Sequence, residues 1–192
     1  MLLDDLLPDR YLQHFLASPS TVATVAALGL LAVVVALAAP RRRLLVLATG
    51  LAVAGIGGLT LAPARGWTTL TLLPDPLAAV RTALAPSLAD LGAWAVADGP
   101  ANVALFVPFG LCLGLLLRRP SAAFLAGVAL TVLVESYQAA TGTRVGAFAD
   151  VVANSLGALL GAVLSAVVLV VVDGVRRARP RARGLRPVRS GR

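Results

Sequence analysis

Five long apolar runs constrain this chain more than any other feature of its sequence. Each has 16 to 22 residues, close to the roughly 20 that an α-helix needs to cross a ~30 Å hydrocarbon layer. A helix satisfies its own backbone hydrogen bonds in lipid, which a lone strand or an open loop cannot do. The sequence therefore predicts an all-α polytopic membrane helix bundle with about five transmembrane helices. The predicted spans are residues 21–39, 44–62, 102–117, 122–140 and 151–172. The third is the shortest, and its helix is expected to begin a turn earlier.

The composition excludes a water-soluble domain and makes a metal site improbable. Only 14% of the residues are charged and 58% are hydrophobic, whereas soluble domains have roughly 25% charged residues to cover their surface. The chain has one His and one Cys, too few for the usual zinc ligand sets. Cys112 lies in an apolar run and is interpreted as a small buried hydrophobic residue. We therefore expect neither a metal nor a cofactor.

The arginine distribution predicts the orientation. All 17 basic residues are Arg. Thirteen of them follow the first, third and fifth runs, at residues 41–43, 118–119 and 176–192, and the other four are Arg10, Arg65, Arg81 and Arg144. The positive-inside rule makes the first group cytoplasmic. The sequence thus predicts a multi-pass protein of the plasma membrane, with its N-terminus outside and its C-terminus cytoplasmic.

The chain is predicted to form a single membrane domain over residues 1–175, followed by a disordered basic cytoplasmic tail over residues 176–192. An arginine-rich segment beside a span fixes topology and rests on anionic lipid. Contact with a partner or with nucleic acid is the alternative. Because the topological role is sufficient, we expect no nucleic-acid partner, while homo-oligomerisation stays open.

The outer loop 63–100 is long enough to hold structure. Asp75 and Pro76 are typical of a helix start, as cap and first helical residue. A second segment, residues 88–96, contains Trp94. Together with Trp67, these features predict short helices lying at the membrane–water interface.

Polar residues gather near the predicted outer ends of the last three spans. They are Asn102, Glu135, Gln138, Arg144, Asp150 and Asn154. Glu135 and Gln138 are three residues apart, so they share a helix face. Asp150 and Asn154 are four apart and share a face in the same way. Six polar groups at one membrane level predict a ligand-binding site.

Small residues and a proline accompany these polar groups. Gly157 and Gly161 are spaced for close approach of another helix, as are Gly110 and Gly114. Pro108 removes a backbone hydrogen bond from the third span and can kink it. These residues are assigned structural roles, as is Phe106.

Each polar residue also has a simpler interpretation. An ionised Glu135 in the bilayer costs on the order of 2–3 kcal/mol or more, so we expect it to pair with Arg144. Alternatively, Glu135 is a boundary residue that reaches the interface. Arg144 and Asp150 are ordinary loop charges on the simpler view, and Asn102 and Asn154 only cap or join helices.

The ordered set of motifs resembles the VanZ-like family of small bacterial membrane proteins. The motifs are Asn102-x-x-x-Phe106-x-Pro108-x-Gly110, Glu135-x-x-Gln138, Arg144, and Asp150-x-x-x-Asn154-x-x-Gly157-x-x-x-Gly161. The resemblance covers about residues 100–165. The family takes its name from a protein associated with resistance to the glycopeptide antibiotic teicoplanin, so the resemblance implies a cell-envelope role.

Three functional hypotheses remain open. The first is a protein that recognises a lipid head group or a lipid-linked cell-wall precursor at its outer face, with membrane lipids as partners. The second is an enzyme acting on a lipid-linked substrate, with Glu135 or Asp150 as general acid or base. The chain has no nucleophile pattern or phosphate-binding glycine loop to favour it. The third is a small transporter component, which five spans without an internal repeat disfavour.

Overall fold

The computed structural model describes residues 18–63, 66–87, 89, 99–143 and 147–178. These residues form six α-helices and one short 3-10 helix, and they contain no strand. The helices are α1 (Pro19–Ala38), α2 (Arg43–Thr60), α3 (Pro76–Ala83), α4 (Gly99–Leu117), α5 (Pro120–Thr141) and α6 (Phe148–Ala178).

Five of these helices, α1, α2, α4, α5 and α6, are long and apolar enough to cross a membrane. The predicted all-α membrane bundle is confirmed. Helix α4 begins at Gly99, about one turn before the apolar run that predicted it. Its neighbour α5 ends at Gly142, whose φ of 61° is the left-handed conformation typical of a glycine helix stop. The orientation of the bundle across the membrane stays a prediction.

Helix α6 is longer at both ends than the sequence predicted. It starts at Phe148 rather than at residue 151, so Asp150 lies in its first turn instead of closing the preceding loop. It continues through Asp173 and Gly174 to Ala178. A Cβ at Gly174 would meet nothing within 4 Å, so this glycine is an exposed helical position and not a stop. Residues 176–178, predicted to be disordered tail, are helical, while the rest of the tail lies outside the described residues.

The loop between α2 and α4 contains the predicted helix start at Asp75. Asp75 Oδ1 accepts a hydrogen bond of 2.9 Å from the backbone N–H of Ala78, and Pro76 opens α3. Trp67 lies in the 3-10 helix Trp67–Thr69, and its side chain is exposed. The predicted segment 88–96 with Trp94 lies outside the described residues, apart from residue 89.

The centre of the bundle is a close crossing of α4 and α6. A Cβ on Gly157 would lie 2.2 Å from the carbonyl oxygen of Val103, and one on Gly161 would lie 2.2 Å from that of Val107. From the other side, a Cβ on Gly110 would lie 2.3 Å from the carbonyl oxygen of Ala158. The backbones approach so closely that only glycine fits at these positions.

Helix α5 packs against both α4 and α6, while α1 and α2 form a hairpin that joins the bundle through α2. The apolar core consists of Ile56, Phe106, Phe109, Val134 and Ala158. Phe106 and Phe109 make an edge-to-face contact, with ring centroids 6.4 Å apart.

The two ends of the bundle differ in the segments they contain. We call the site end the end at which α2 and α5 finish and α4 and α6 start. We call the arginine end the end at which α4 and α6 finish. At the arginine end, Arg42 donates to the carbonyl oxygen of Leu116, and Arg118 forms an ion pair of 2.7 Å with Asp173.

Candidate functional site

A stripe of three buried polar residues runs along α5 toward the site end. Thr131, Glu135 and Gln138 are 0%, 2% and 3% exposed. Their spacings of four and three residues place them on one face of the helix. Because an unpaired polar group in apolar surroundings is costly, each needs a partner from a neighbouring segment.

The partners of Gln138 and Glu135 come from the end of α2 and from the residue directly before α6. Gln138 Nε2 donates to the carbonyl oxygen of Thr60 at the end of α2, at 2.8 Å. Glu135 Oε2 accepts from the backbone N–H of Ala147 at 3.1 Å, directly before α6. The stripe therefore fixes α5 against both α2 and the start of α6.

A second polar contact joins α4 to α6. Asn102 Nδ2 donates to Asp150 Oδ1 at 2.6 Å. Asp150 lies in the first turn of α6, where a negative charge is favoured by the helix dipole. The contact is a charge-assisted hydrogen bond, the stronger class of such bonds.

One turn deeper in the bundle, the polar groups become uncharged. Asn154 Nδ2 donates to Thr131 Oγ1 at 2.9 Å, and both side chains are almost completely buried. The Oδ1 atom of Asn154 is buried and has no hydrogen-bond partner in the part of the chain that the structure describes. Glu135 and Asp150 follow four residues nearer the site end on their respective helices. We call Glu135 and Asp150 the outer layer of the site, and Thr131 and Asn154 its inner layer.

The structure brings five of the six sequence-predicted binding residues together at one end of four helices. These are Asn102, Glu135, Gln138, Asp150 and Asn154. Arg144 lies outside the described residues, so its predicted pairing with Glu135 stays a prediction. Asp150 and Asn154 share one helix but serve different neighbours, α4 and α5 respectively.

The residues assigned structural roles lie in the packing of α4 and α6. Phe106 is fully buried in the core, and Gly110, Gly157 and Gly161 form the crossing. Pro108 lies inside α4 and is exposed, so it is on the outer surface of the bundle and away from the site.

Sequence reasoning missed three groups at the site end. Thr131 was given no role, although it precedes Glu135 by four residues and so belongs to the same stripe. The carbonyl of Thr60 is a backbone group, and no residue type could have signalled it. Tyr137 was also given no role, yet its hydroxyl is buried without a hydrogen-bond partner among the described residues.

Among the described residues, no three His, Cys, Asp or Glu side chains are grouped closely enough to hold a metal ion. The polar groups of the site are amides, one hydroxyl, two carboxylates and backbone groups. Such groups can donate or accept directional hydrogen bonds.

The fold and the site define a polytopic helical membrane protein with a buried polar cluster at one end. A family model described as VanZ/LLP1 matches residues 24–169, about three-quarters of the chain. The chain therefore belongs to the VanZ/LLP1 family. The match begins within α1, well before the segment 100–165 on which the sequence resemblance rested. Comparison with curated proteins gives no match, and neither does comparison with solved structures.

Proposed function

We propose that this protein recognises the polar head group of a lipid or of a lipid-linked cell-wall precursor at the site end of the bundle, in the outer leaflet of the bacterial plasma membrane. The observation that carries the proposal is the two-layered polar cluster contributed by α2, α4, α5 and α6. The other buried polar side chains of the described residues are all hydroxyls of Ser or Thr, so the cluster is where the buried carboxylate and amides gather.

Burial is the first support. Glu135, Gln138 and Asn154 are each at most 3% exposed, in surroundings where polar groups cost free energy unless they are fully paired. Apolar residues would pack α5 against α6 at lower cost. The presence of a buried carboxylate and two buried amides at one end therefore favours a recognition role over a purely structural one.

The sequence position of Arg144 is the second support. It lies between α5 and α6, three residues before Ala147, whose N–H binds Glu135. A guanidinium at this position in the sequence supplies paired donors suited to a phosphate. The amides supply donors and acceptors suited to the sugar or peptide part of a precursor.

The proposal is tested by the binding of a polyprenyl-pyrophosphate-linked cell-wall precursor to the full-length protein in lipid nanodiscs. We expect an Arg144→Ala variant to bind about 10-fold or more weakly, the effect of losing a charged hydrogen bond. Arg81→Ala is the matched control, because Arg81 is exposed on α3 at the same end. Equal affinities for the two variants would refute the proposal.

Recognition of a cell-wall precursor also gives a cellular expectation. A protein that binds the precursor at the outer face reduces the access of teicoplanin to its target. Expression in a sensitive bacterial host should raise the inhibitory concentration of teicoplanin, and Arg144→Ala should abolish the increase. An unchanged inhibitory concentration would remove antibiotic resistance from the role of this protein.

A further inference from the structure

The inner layer of the site contains an acceptor that the protein does not use. Asn154 is 2% exposed and Thr131 is fully buried. The amide nitrogen of Asn154 donates to Thr131 Oγ1, while Oδ1 has no hydrogen-bond partner in the described part of the chain. Buried carbonyl oxygens are paired in the great majority of cases, so an unpaired one calls for a donor from elsewhere.

The surroundings of this acceptor determine which donor suits it. On the far side from the site end, a Cβ on Gly127 would meet Ala158 at 2.4 Å and Phe109 at 3.7 Å. The inner layer therefore rests directly on the apolar core. The carboxylates of Glu135 and Asp150 lie one turn nearer the site end and accept hydrogen bonds of their own. In such apolar surroundings an uncharged donor costs less to bury than a cation.

We propose that Asn154 Oδ1 accepts a hydrogen bond from an uncharged hydroxyl or amide group of the bound head group. The inference rests on the proposed function and adds an inner subsite to it. Thr131 is a positioning residue, because its oxygen accepts from the amide nitrogen of Asn154 and so leaves Oδ1 as the available acceptor. As in the proposed function, the phosphate of the head group is assigned to Arg144, and its hydroxyl-bearing or amide-bearing part is recognised at the inner layer.

The experiment uses two anionic lipids of equal charge, of which only one carries hydroxyl groups in its head group. Phosphatidylglycerol and phosphatidylmethanol have the same phosphodiester charge and are prepared with the same acyl chains, but only the first carries head-group hydroxyls. Binding of each to the full-length protein in nanodiscs is measured separately. We expect the wild type to prefer phosphatidylglycerol by about 3- to 10-fold, the effect of one net hydrogen bond.

Two variants test the inner layer directly. Asn154→Leu removes the acceptor, so its affinities for the two lipids should be about equal. Thr131→Val is milder, because it keeps the shape of the side chain and removes only the oxygen that positions Asn154; it should also lower the preference. Ser165→Ala is the matched control, since Ser165 is fully buried on the same helix and its hydroxyl donates to Ala162. It should leave the preference unchanged.

The ratio of the affinity for phosphatidylglycerol to the affinity for phosphatidylmethanol separates an effect on recognition from an effect on folding. Retained binding of phosphatidylmethanol shows that a variant is folded, and misfolded protein cancels in the comparison of the two lipids. If Asn154→Leu binds neither lipid, Thr131→Val decides the question. An undiminished preference in either variant that still binds phosphatidylmethanol would overturn the inference.

A second set of measurements distinguishes whether the hydrogen-bond donor belongs to a membrane lipid or to the lipid-linked precursor. Binding of the lipid-linked precursor is measured with wild type and Asn154→Leu. Weaker binding of the precursor in the variant assigns the donor to its sugar or peptide, and an effect confined to phosphatidylglycerol assigns it to a lipid head group. If the binding of neither ligand depends on Asn154, the inner subsite is refuted, whatever the affinity of the Arg144→Ala variant. If Arg144→Ala and Arg81→Ala bind equally, the proposed function fails independently of this ratio.

Discussion

The site end and the arginine end of the bundle use polar residues in opposite ways. At the site end, Glu135 and Gln138 are buried and bind backbone groups of other segments at 3.1 and 2.8 Å. At the arginine end, Arg118 and Asp173 pair at 2.7 Å while 43% and 34% of their side chains stay exposed. The contrast shows that a short distance between polar atoms says little by itself; the degree of burial determines what an interaction is worth.

The same contrast separates two roles of polar residues, membrane topology and ligand recognition. The exposed arginines near the ends of α1, α4 and α6 are predicted to fix topology, a role that requires only charge on the correct side of the membrane. Buried carboxylates and amides need defined geometry, and geometry is what recognition of a ligand requires. The predictions below test this division, beginning with the largest expected effect.

The first prediction concerns which end faces the outside of the cell, and its outcome is all or none. In a Cys112→Ala background, Val145→Cys should react with an impermeant thiol reagent in intact cells. Pro40→Cys, in the exposed connection between α1 and α2 at the other end, should react only after lysis. The reverse pattern would invert the bundle and place the site on the cytoplasmic side.

The second prediction concerns the close crossing of α4 and α6, which lies between the site end and the arginine end. In Gly161→Ala the new Cβ would lie 2.2 Å from the carbonyl oxygen of Val107 and 2.6 Å from the amide nitrogen of Leu111. Both are backbone atoms, so the helices must separate, at a cost of about 1–3 kcal/mol or more in the free energy of unfolding.

Equilibrium unfolding in mixed detergent micelles measures this cost. Gly174→Ala is the control on the same helix, because nothing lies within 4 Å of its new Cβ. It should be neutral or stabilising by up to about 1 kcal/mol. Equal stability of the two variants would show that α4 and α6 are not closely packed at Gly161.

The third prediction compares carboxylates at the two ends. Glu135→Ala leaves the N–H of Ala147 without its acceptor and should destabilise the protein by about 1–3 kcal/mol. Asp173→Ala should cost less than about 1 kcal/mol, since its ion pair is solvent-exposed. The same unfolding assay measures both variants. Similar losses in the free energy of unfolding would show that the carboxylates at the two ends do not differ in their contribution to stability.

The smallest expected effect is the salt dependence of the pair Arg118–Asp173. Added salt screens exposed charges much more than buried ones. The small cost of Arg118→Ala should therefore approach zero as ionic strength rises, while the cost of Glu135→Ala should persist. A cost of Arg118→Ala that is independent of salt would indicate a buried interaction at the arginine end.

The helices were largely predictable because each is specified by its own local sequence. Apolar runs of the right length gave the five spans, and Asp75 with Pro76 gave the start of α3. The end of α6 was not predictable in the same way. Asp173 and Gly174 are typical of a helix end, but the helix continues because neither residue meets an obstacle and no proline follows until residue 180.

The site was only partly predictable because its contacts cross between helices. Periodicity shows that Asp150 and Asn154 share a face, but it cannot show that one bonds to Asn102 and the other to Thr131. The carbonyl of Thr60, which accepts from Gln138, is invisible to any argument from side-chain chemistry. Residue type identified most of the members of the site, and only the packing of the helices identified their partners.

The unbroken length of α6 has a mechanical consequence. Its 31 residues form a rod of about 46 Å at 1.5 Å per residue, so it outreaches the ~30 Å hydrocarbon layer. Asp150 lies at one tip of this rod, and Arg176 and Arg177 lie at the other. A tilt of one degree about the first turn moves the far tip by about 0.8 Å over that length. A small change in the angle of α6 at the tip that carries Asp150 would therefore be enlarged into a displacement of Arg176 and Arg177 at the opposite tip.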